Sequence, residues 1–482
     1  MSRFLASRDY DMIHFVHSIV SMSDVVEKLA AIIDPARVSS DPVLVDELSW
    51  DALSEGRLHP RRRPQLHLPV GAVKPISTDE VRRVVEFANG EKIALVPFGG
   101  GSGLMGGALS IRPSLVVDLR GMSRILEIDI ESRSARVQAG VVLEALDEKL
   151  KEVDFILGHD PWTVPVATVG GAISTNSVGY RAGIYGSMGE QVLGLEAVLP
   201  NGEILRTRPV SKHSAGLHLN SLLIGGEGCF GMITEATIRI FPKPQARVFG
   251  GYLFSSFEQG YAAIQAMFHV RLRPALLDFG DDEDRHEPSA LLYLVFEGNA
   301  EIAAVEEKLA AAVCAAHGGK PLPREEPEEF WRGRHEIARR FMRDRRQRRE
   351  RGRDGSYRDW IHVALPASKV LAFRRAAREI IQRRGVRLQE SGLWVQPELF
   401  SMRLGADEGE TRDAQLALEE SVEELLRLAQ KMGGSMEYTH GVGVKLAPLM
   451  AEEHGYGLEV MKQIKRLLDP NNVMNPGKMG LS

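Results

Sequence analysis

The feature that most constrains this chain is Val96-Pro97-Phe98-Gly99-Gly100-Gly101-Ser102-Gly103-Leu104-Met105-Gly106-Gly107, where glycine fills five of the eight positions from 99 to 106. Each glycine loses more backbone freedom on folding than any other residue, so such a density is unfavourable unless the backbone must turn sharply or approach a ligand closely. Gly101, Gly103 and Gly106 satisfy the spacing G-x-G-x-x-G of a dinucleotide-binding turn. In the doubly wound fold that turn opens a helix whose N-terminus faces the pyrophosphate. Here Ile111-Arg112-Pro113 and a β-rich run follow, which predicts turn and strand instead. The alternative use is a nest of bare backbone N–H groups that binds diphosphate oxygens without a helix. Its candidate residues are Pro97, Gly99, Gly100, Gly101, Ser102, Gly103 and Leu104.

A second segment, from Asp160 to Gly186, mixes small residues with hydroxyl and amide groups around Thr168-Val169-Gly170-Gly171. A flat polar ligand could lie against such backbone while side chains bond its rim. Two loops of this kind exceed what a phosphate alone requires.

The remainder reads as an ordinary globular chain. Its 482 residues, 44% hydrophobic and 26% charged, exclude disorder and collagen and allow two or three domains. A net charge of -5 gives no reason to bind nucleic acid. Two cysteines, Cys229 and Cys314, cannot build a disulfide framework, and a cytoplasmic setting is expected. The apolar stretch Met12 to Met22 is interrupted by histidines and flanked by Asp11 and Asp24, so neither a signal peptide nor a transmembrane segment is expected.

Along the chain, a helix is predicted from Thr78 to Asn89, capped by Thr78 or Asp79 and ended by Gly90. Strands are predicted at Ile93–Val96, Leu115–Leu119, Ala135–Val137, Leu195–Leu199, Ile204–Thr207 and Met232–Phe241. After Pro242 and Pro244, strand-like Leu291–Phe296 and Trp360–Leu365 alternate with amphipathic helices Glu301–Ala316 and Ala367–Arg383. Strands around Leu393–Leu404 precede a long helix, Thr411–Met432. The expectation is an α+β chain in which an antiparallel sheet with helices on one face follows the glycine-rich unit. The arginine-dense Arg332–Arg358 reads either as a solvated face or as a frame for an anionic substrate.

Several motifs together carry a family resemblance: the first glycine loop, Thr168-Val169-Gly170-Gly171 with Gly183-x-Tyr185-Gly186, Val192 to Glu203, and Asp469-Pro470-Asn471-Asn472-Val473-Met474-Asn475-Pro476-Gly477-Lys478. They resemble the FAD-binding module of the vanillyl-alcohol-oxidase superfamily, in its glycolate-oxidase and D-lactate-dehydrogenase branch. The resemblance implies a two-subdomain FAD-binding domain of the PCMH type at 61–245, after a helical segment at 1–60. A cap domain at 246–440 and a closing segment at 441–482 that returns to the FAD domain would complete the chain. It implies FAD contacts at Pro165, Thr168, Gly170, Gly171, Thr175, Asn176, Gly179, Tyr185, Gly228, Ile233 and Asn475, besides the first loop. No histidine lies between Pro97 and Gly107, so noncovalent FAD is expected, with a covalent link through the cap left open.

A flavin that accepts a hydride needs a base to remove the hydroxyl proton. The candidate is His440 in Glu437-Tyr438-Thr439-His440-Gly441-Val442-Gly443, similar to the branch's Glu-His-Gly-Ile/Val-Gly signature, with Tyr438 beside it. Metal-using relatives carry His-x-Gly-Asp-Gly-Asn-Leu-His and a glutamate just before the motif histidine. This chain has Ser391 to Arg403 and Thr439 there, so no catalytic metal is expected. Arg332, Arg334, Arg339 and Arg403 could grip a substrate anion, and Trp331, Trp394 and Phe400 favour a bulky or aromatic substrate. The implied activity is oxidation of a 2-hydroxy acid or alcohol, with oxygen, a quinone or an electron-transfer protein as acceptor. The alternative is a transferase resembling alkylglycerone-phosphate synthase, without net oxidation. A homodimer is left open.

Overall fold

The computed structural model describes residues 22–54, 57–59, 61, 64–282, 289–340, 357–406 and 412–481. Most of the Met12 to Met22 stretch and residues 341–356 of the arginine-dense segment lie outside these. Among the described residues no helix is long and apolar enough to cross a membrane.

The first sheet shows why the glycine loop is not a doubly wound turn. Strand β3 (Ala94–Phe98) pairs in parallel with β4 (Ser114–Asp118), which pairs in parallel with β2 (Gly71–Val73), while β1 (Val38–Ser39) closes the edge. The connection from β3 to β4 is the glycine loop itself, with no helix in it. Helix Thr78–Glu91 precedes β3 and buries Val81, Val84, Val85 and Ala88, each of the valines worth roughly 1.5–3 kcal/mol. Its N-cap is Ser77, whose hydroxyl accepts from Glu80 N, and it ends at Lys92 in the left-handed region (φ 56°). The expected caps at Thr78, Asp79 and Gly90 are therefore displaced by one or two residues. The closing segment runs beside β3, where Leu95 N donates to Val473 O and Asn475 N donates to Leu95 O.

The second sheet has the order β5 (Ile125–Asp129), β6 (Ser134–Gln138), β10 (Met232–Pro242), β8 (Val192–Val198), β9 (Ile204–Arg206), with β7 (Phe155–Leu157) on the far end of β10. Gly202 turns β8 into β9 at φ 86°. Helix Val169–Ser174 packs against this sheet, so part of the segment read as a flat loop is helical.

The third sheet is antiparallel: β14 (Lys320–Pro321), β11 (Ala246–Phe254), β13 (Ala290–Gly298), β12 (Leu276–Asp282), β16 (Val386–Trp394), β17 (Leu399–Ala406) and β15 (Arg358–Ala364). Phe279, Leu393, Phe400, Met402, Ile361 and Val363 point from it into the largest core. That core also takes residues of helices Phe257–His269, Ala300–Ala316, Val370–Arg384 and Arg412–Lys431. The opposite face carries helix Glu325–Gly333, whose Trp331 packs with Leu276 and Val295, and otherwise faces the flavin domain; three ion-pair groups hold the two domains together. Arg181 and Arg247 meet Glu297, Arg334 and His335 meet Asp160 at 2.9 Å each, and Arg57 and Lys445 meet Asp359.

Candidate functional site

One cavity joins all three sheets. Its wall carries Pro97, Gly99, Gly100, Gly101, Ser102, Gly103 and Leu104 from the first loop, then Thr168, Gly170, Gly171 and Thr175 from the second. Gly228 and Ile233 at the start of β10, Asn475 of the closing segment, and Trp394 and His440 from the cap side complete the expected set. The remaining expected FAD contacts, Pro165, Asn176, Gly179 and Tyr185, are not in the wall. Asn176 accepts from Gly189 N, and Gly179 packs on the backbone of Asp160. Tyr185 donates to Glu297 and lies against Phe241.

The glycines are there because backbone meets backbone. A Cβ on Gly100 would stand 2.2 Å from Val166 O, one on Gly99 2.5 Å from Thr168 Oγ1, and one on Gly228 2.5 Å from Pro97 Cγ. Gly101 adds a left-handed φ of 62°. Thr168 caps the helix Val169–Ser174 through its hydroxyl, which accepts from Gly171 N. The two loops, this close together, make a narrow cradle of the shape a dinucleotide requires. Asn475 fits the same reading: its amide donates to Gly107 O and Glu227 O, while its buried Oδ1 has no protein partner and is left to accept from a ligand.

Glu227 was not expected in the site. It lines the cavity and accepts from Val442 N and Gly443 N, so its carboxylate holds the loop that follows His440. Burial pushes this carboxyl up to about 7, against the pull of those two amides. Glycine density around it (Gly225, Gly226, Gly228) was the available signal. Asp51, which approaches Ala108 N from the N-terminal segment, had no local signal.

At the cap end, His440 is 16% exposed and its Nδ1 lies 3.5 Å from Glu437 Oε1. The same carboxylate accepts from Thr439 N and His440 N at 2.8 and 3.0 Å. Burial alone would raise the Glu437 carboxyl, but the His440 imidazole and these bonds hold it below its ordinary value. His362 of β15 crosses His440 edge to face, ring centroids 4.5 Å apart, and burial lowers its pKa to about 3. Ligand atoms of His362, Glu437 and His440 lie within 4.8 Å of one another, a spacing open to a shared cation. Position 439, where the metal-using relatives of the resemblance carry glutamate, is Thr439, and the carboxylate beside the imidazole comes from Glu437 instead.

Tyr438 is turned the other way. Its hydroxyl meets Ser401 Oγ at 2.8 Å, burial pushes its pKa far above the usual phenol value, and it is not in the cavity wall. Among the expected arginines, Arg332 is exposed and donates to Glu328 O, and Arg339 pairs with Glu144 and Glu336 at the surface. Arg334 is bound to Asp160 and stacks on Trp331 at 3.8 Å. None of these three borders the cavity. Arg403 faces Glu390 at 3.8 Å. Phe400 is core, and Trp331 packs with Phe249 and Tyr293.

Comparison with known proteins agrees with this geometry. Residues 69–208 match the FAD binding domain and residues 243–479 the C-terminal domain of FAD-linked oxidases. An uncharacterised FAD-linked oxidoreductase of Escherichia coli K12 is 33% identical over 62% of this chain and 63% of its own length, so the chain spans under two thirds of that relative. A D-lactate dehydrogenase of Archaeoglobus fulgidus is 31% identical over 84% of this chain and 90% of that protein. A solved alkyldihydroxyacetonephosphate synthase shares the fold with a TM-score of 0.77 at 20% identity, over 94% of this chain and 86% of its own. Cradle, domain order and sequence thus converge: the chain belongs to the FAD-linked oxidases of the vanillyl-alcohol-oxidase family, with FAD as its cofactor.

Proposed function

We propose that the protein oxidises the hydroxyl-bearing carbon of a small molecule, with His440 as the base and FAD held noncovalently. The observation that carries this reading is the position of His440, in the wall of the cavity that begins at Gly99–Gly103. Glu437 lies on the Nδ1 side of the imidazole, which leaves Nε2 to take the hydroxyl proton. His362, kept neutral by burial, adds no competing charge beside it. When bound, FAD supplies the acceptor for the hydride, at N5 of its ring. Glu227 holds Val442 and Gly443, and so fixes the approach of the His440 loop to the cavity. Trp394 and Trp162 narrow the cap end and exclude water.

Anaerobic mixing with a panel of alcohols and hydroxy acids tests the reading through bleaching of the flavin absorbance. His440→Asn should slow bleaching by about 10²- to 10⁴-fold with FAD still bound, as expected for loss of a positioned base. A native reduction rate in that variant refutes the assignment. The transferase alternative requires acyl exchange with no net flavin reduction, and the same experiment separates the two.

A further inference from the structure

The open face of the third sheet has an unusual middle. Register places Gly280 of β12 opposite Gly392 of β16, Gly392 opposite Ser401 of β17, and Ser401 opposite His362 of β15. Gly280 and Gly392 keep accessible surface, and a Cβ on Gly392 would stand 2.4 Å from Phe279 O, so this row carries no bulk. It forms the floor of a recess that ends at His362 beside His440. One wall is the row Asp278 and Trp394, directly paired. The other is Glu390, Arg403 and Trp360, also in register. Trp394 belongs to the cavity wall as well, as does His440, so the recess borders the site.

The chemistry of those walls is acceptor-rich and nearly neutral. Trp394 Nε1 donates to Asp278 Oδ2 at 3.0 Å, and Tyr180 meets the Trp394 ring edge to face at 4.9 Å. Glu390 is 59% exposed at its side chain and has Arg403 at 3.8 Å to offset its charge. The Tyr438 and Ser401 hydroxyls lie over the floor, bonded to each other. In these rows the single cation already faces a carboxylate, and a substrate carboxylate entering beside Asp278 would meet like charge.

Resting on the oxidase reading above, we propose that the recess selects an uncharged, hydroxyl-rich alcohol of polyol type, whose hydroxyls donate to Asp278 and Glu390 and whose carbon chain lies along Trp394, and that it disfavours 2-hydroxy acids. Burial and the neighbouring Glu390 push Asp278 up to about 7, so above that pH its carboxyl is charged, accepts from hydroxyls and repels a substrate carboxylate.

The test mixes the anaerobic holoenzyme with glycerol, xylitol, sorbitol or D-lactate and follows the flavin spectrum, whose shift reports binding and whose bleaching reports oxidation. At pH 8 at least one polyol should bind at least tenfold more tightly than D-lactate. Asp278→Leu should weaken that polyol tenfold or more at unchanged FAD content. Asp278→Asn, which keeps an acceptor for Trp394 and removes the charge, should strengthen D-lactate severalfold. Tighter binding of D-lactate, no response to any of the three polyols, or an unaltered polyol affinity in Asp278→Leu overturns the proposal. Bleaching by tightly bound D-lactate would sink the recess assignment alone. Saturable polyol binding without bleaching by any alcohol would sink the oxidase reading alone.

Discussion

Gly100→Ala isolates the contact on which the cofactor cradle depends. The added Cβ would lie 2.2 Å from Val166 O, 2.9 Å from Val166 C and 3.1 Å from Ala167 Cα. An unstrained contact needs roughly 3.5 Å, so the first and second loops must part by more than about 1 Å. All three atoms are backbone, hence no side chain can swing aside to absorb the change. Overpacking of this kind costs about 1–3 kcal/mol. Because the parted loops are the two walls that grip FAD, the cost should fall on binding, as a loss of affinity of about 5- to 150-fold. The assay is flavin content after gel filtration, followed by titration of the apoprotein with FAD. Gly90→Ala serves as control: its Cβ would meet nothing within 4 Å in helix Thr78–Glu91, and it should gain about 0.5–1 kcal/mol in stability with native FAD affinity. A Gly100→Ala protein that keeps native FAD affinity would show that the two loops do not form the cradle.

Glu227→Leu should leave Val442 N and Gly443 N buried without an acceptor, at about 1–3 kcal/mol each, seen as a lower melting temperature and slower flavin reduction. Chelator treatment should leave turnover unchanged, because Glu437 is already committed to two amides and His440 is needed as a free base. Loss of activity restored by a stoichiometric divalent ion would instead assign the His362, Glu437 and His440 group to a metal. His159, 2% exposed, has its pKa lowered to about 4 by burial. The unfolded chain therefore takes up a proton that the folded one refuses as pH falls from about 6.5 to about 4, and stability drops across that window. His159→Gln should reduce this acid loss by up to about 3 kcal/mol, measured as the difference in melting temperature between pH 7 and pH 4.5; an equal acid loss in both proteins would contradict it.

What the sequence discloses and what it hides follow from the range of the interactions. The glycine loop was legible because its composition is costly by itself, and the absence of a following helix could be read from Ile111-Arg112-Pro113. Strands such as β4 and β10 declare themselves through apolar runs, whereas β12 (Leu276–Asp282) carries Gly280 and three aspartates within seven residues and gives no such signal. Arg332 and Arg339 lie away from the cavity for a different reason: they are satisfied by carbonyls and carboxylates of their own surroundings, and charge density does not reveal partners. Glu437 stood in plain view in the motif, but only the turn that bonds its carboxylate to Thr439 N and His440 N brings it beside the His440 imidazole.

Cofactor and substrate selection are thus written in different parts of the chain. The cradle is set by backbone: loops from 97 to 104 and from 168 to 175 approach as closely as they do because glycine stands at the contacts, and side-chain identity there matters mainly by its absence. The recess is side chain, set on strands of the third sheet whose other face is locked to helices by the main core. Buried ion pairs that join the two parts, such as Arg181 with Glu297 and Lys445 with Asp359, contribute little net stability once desolvation is counted. Breaking one by removing a single partner is costly, so they act chiefly on geometry. Asp359 lies three residues from His362, and Lys445 five from His440, which places that pair where a shift of the cap would be felt first at the base. Substitutions in the recess can therefore change which alcohol is accepted while the flavin end stays as it is.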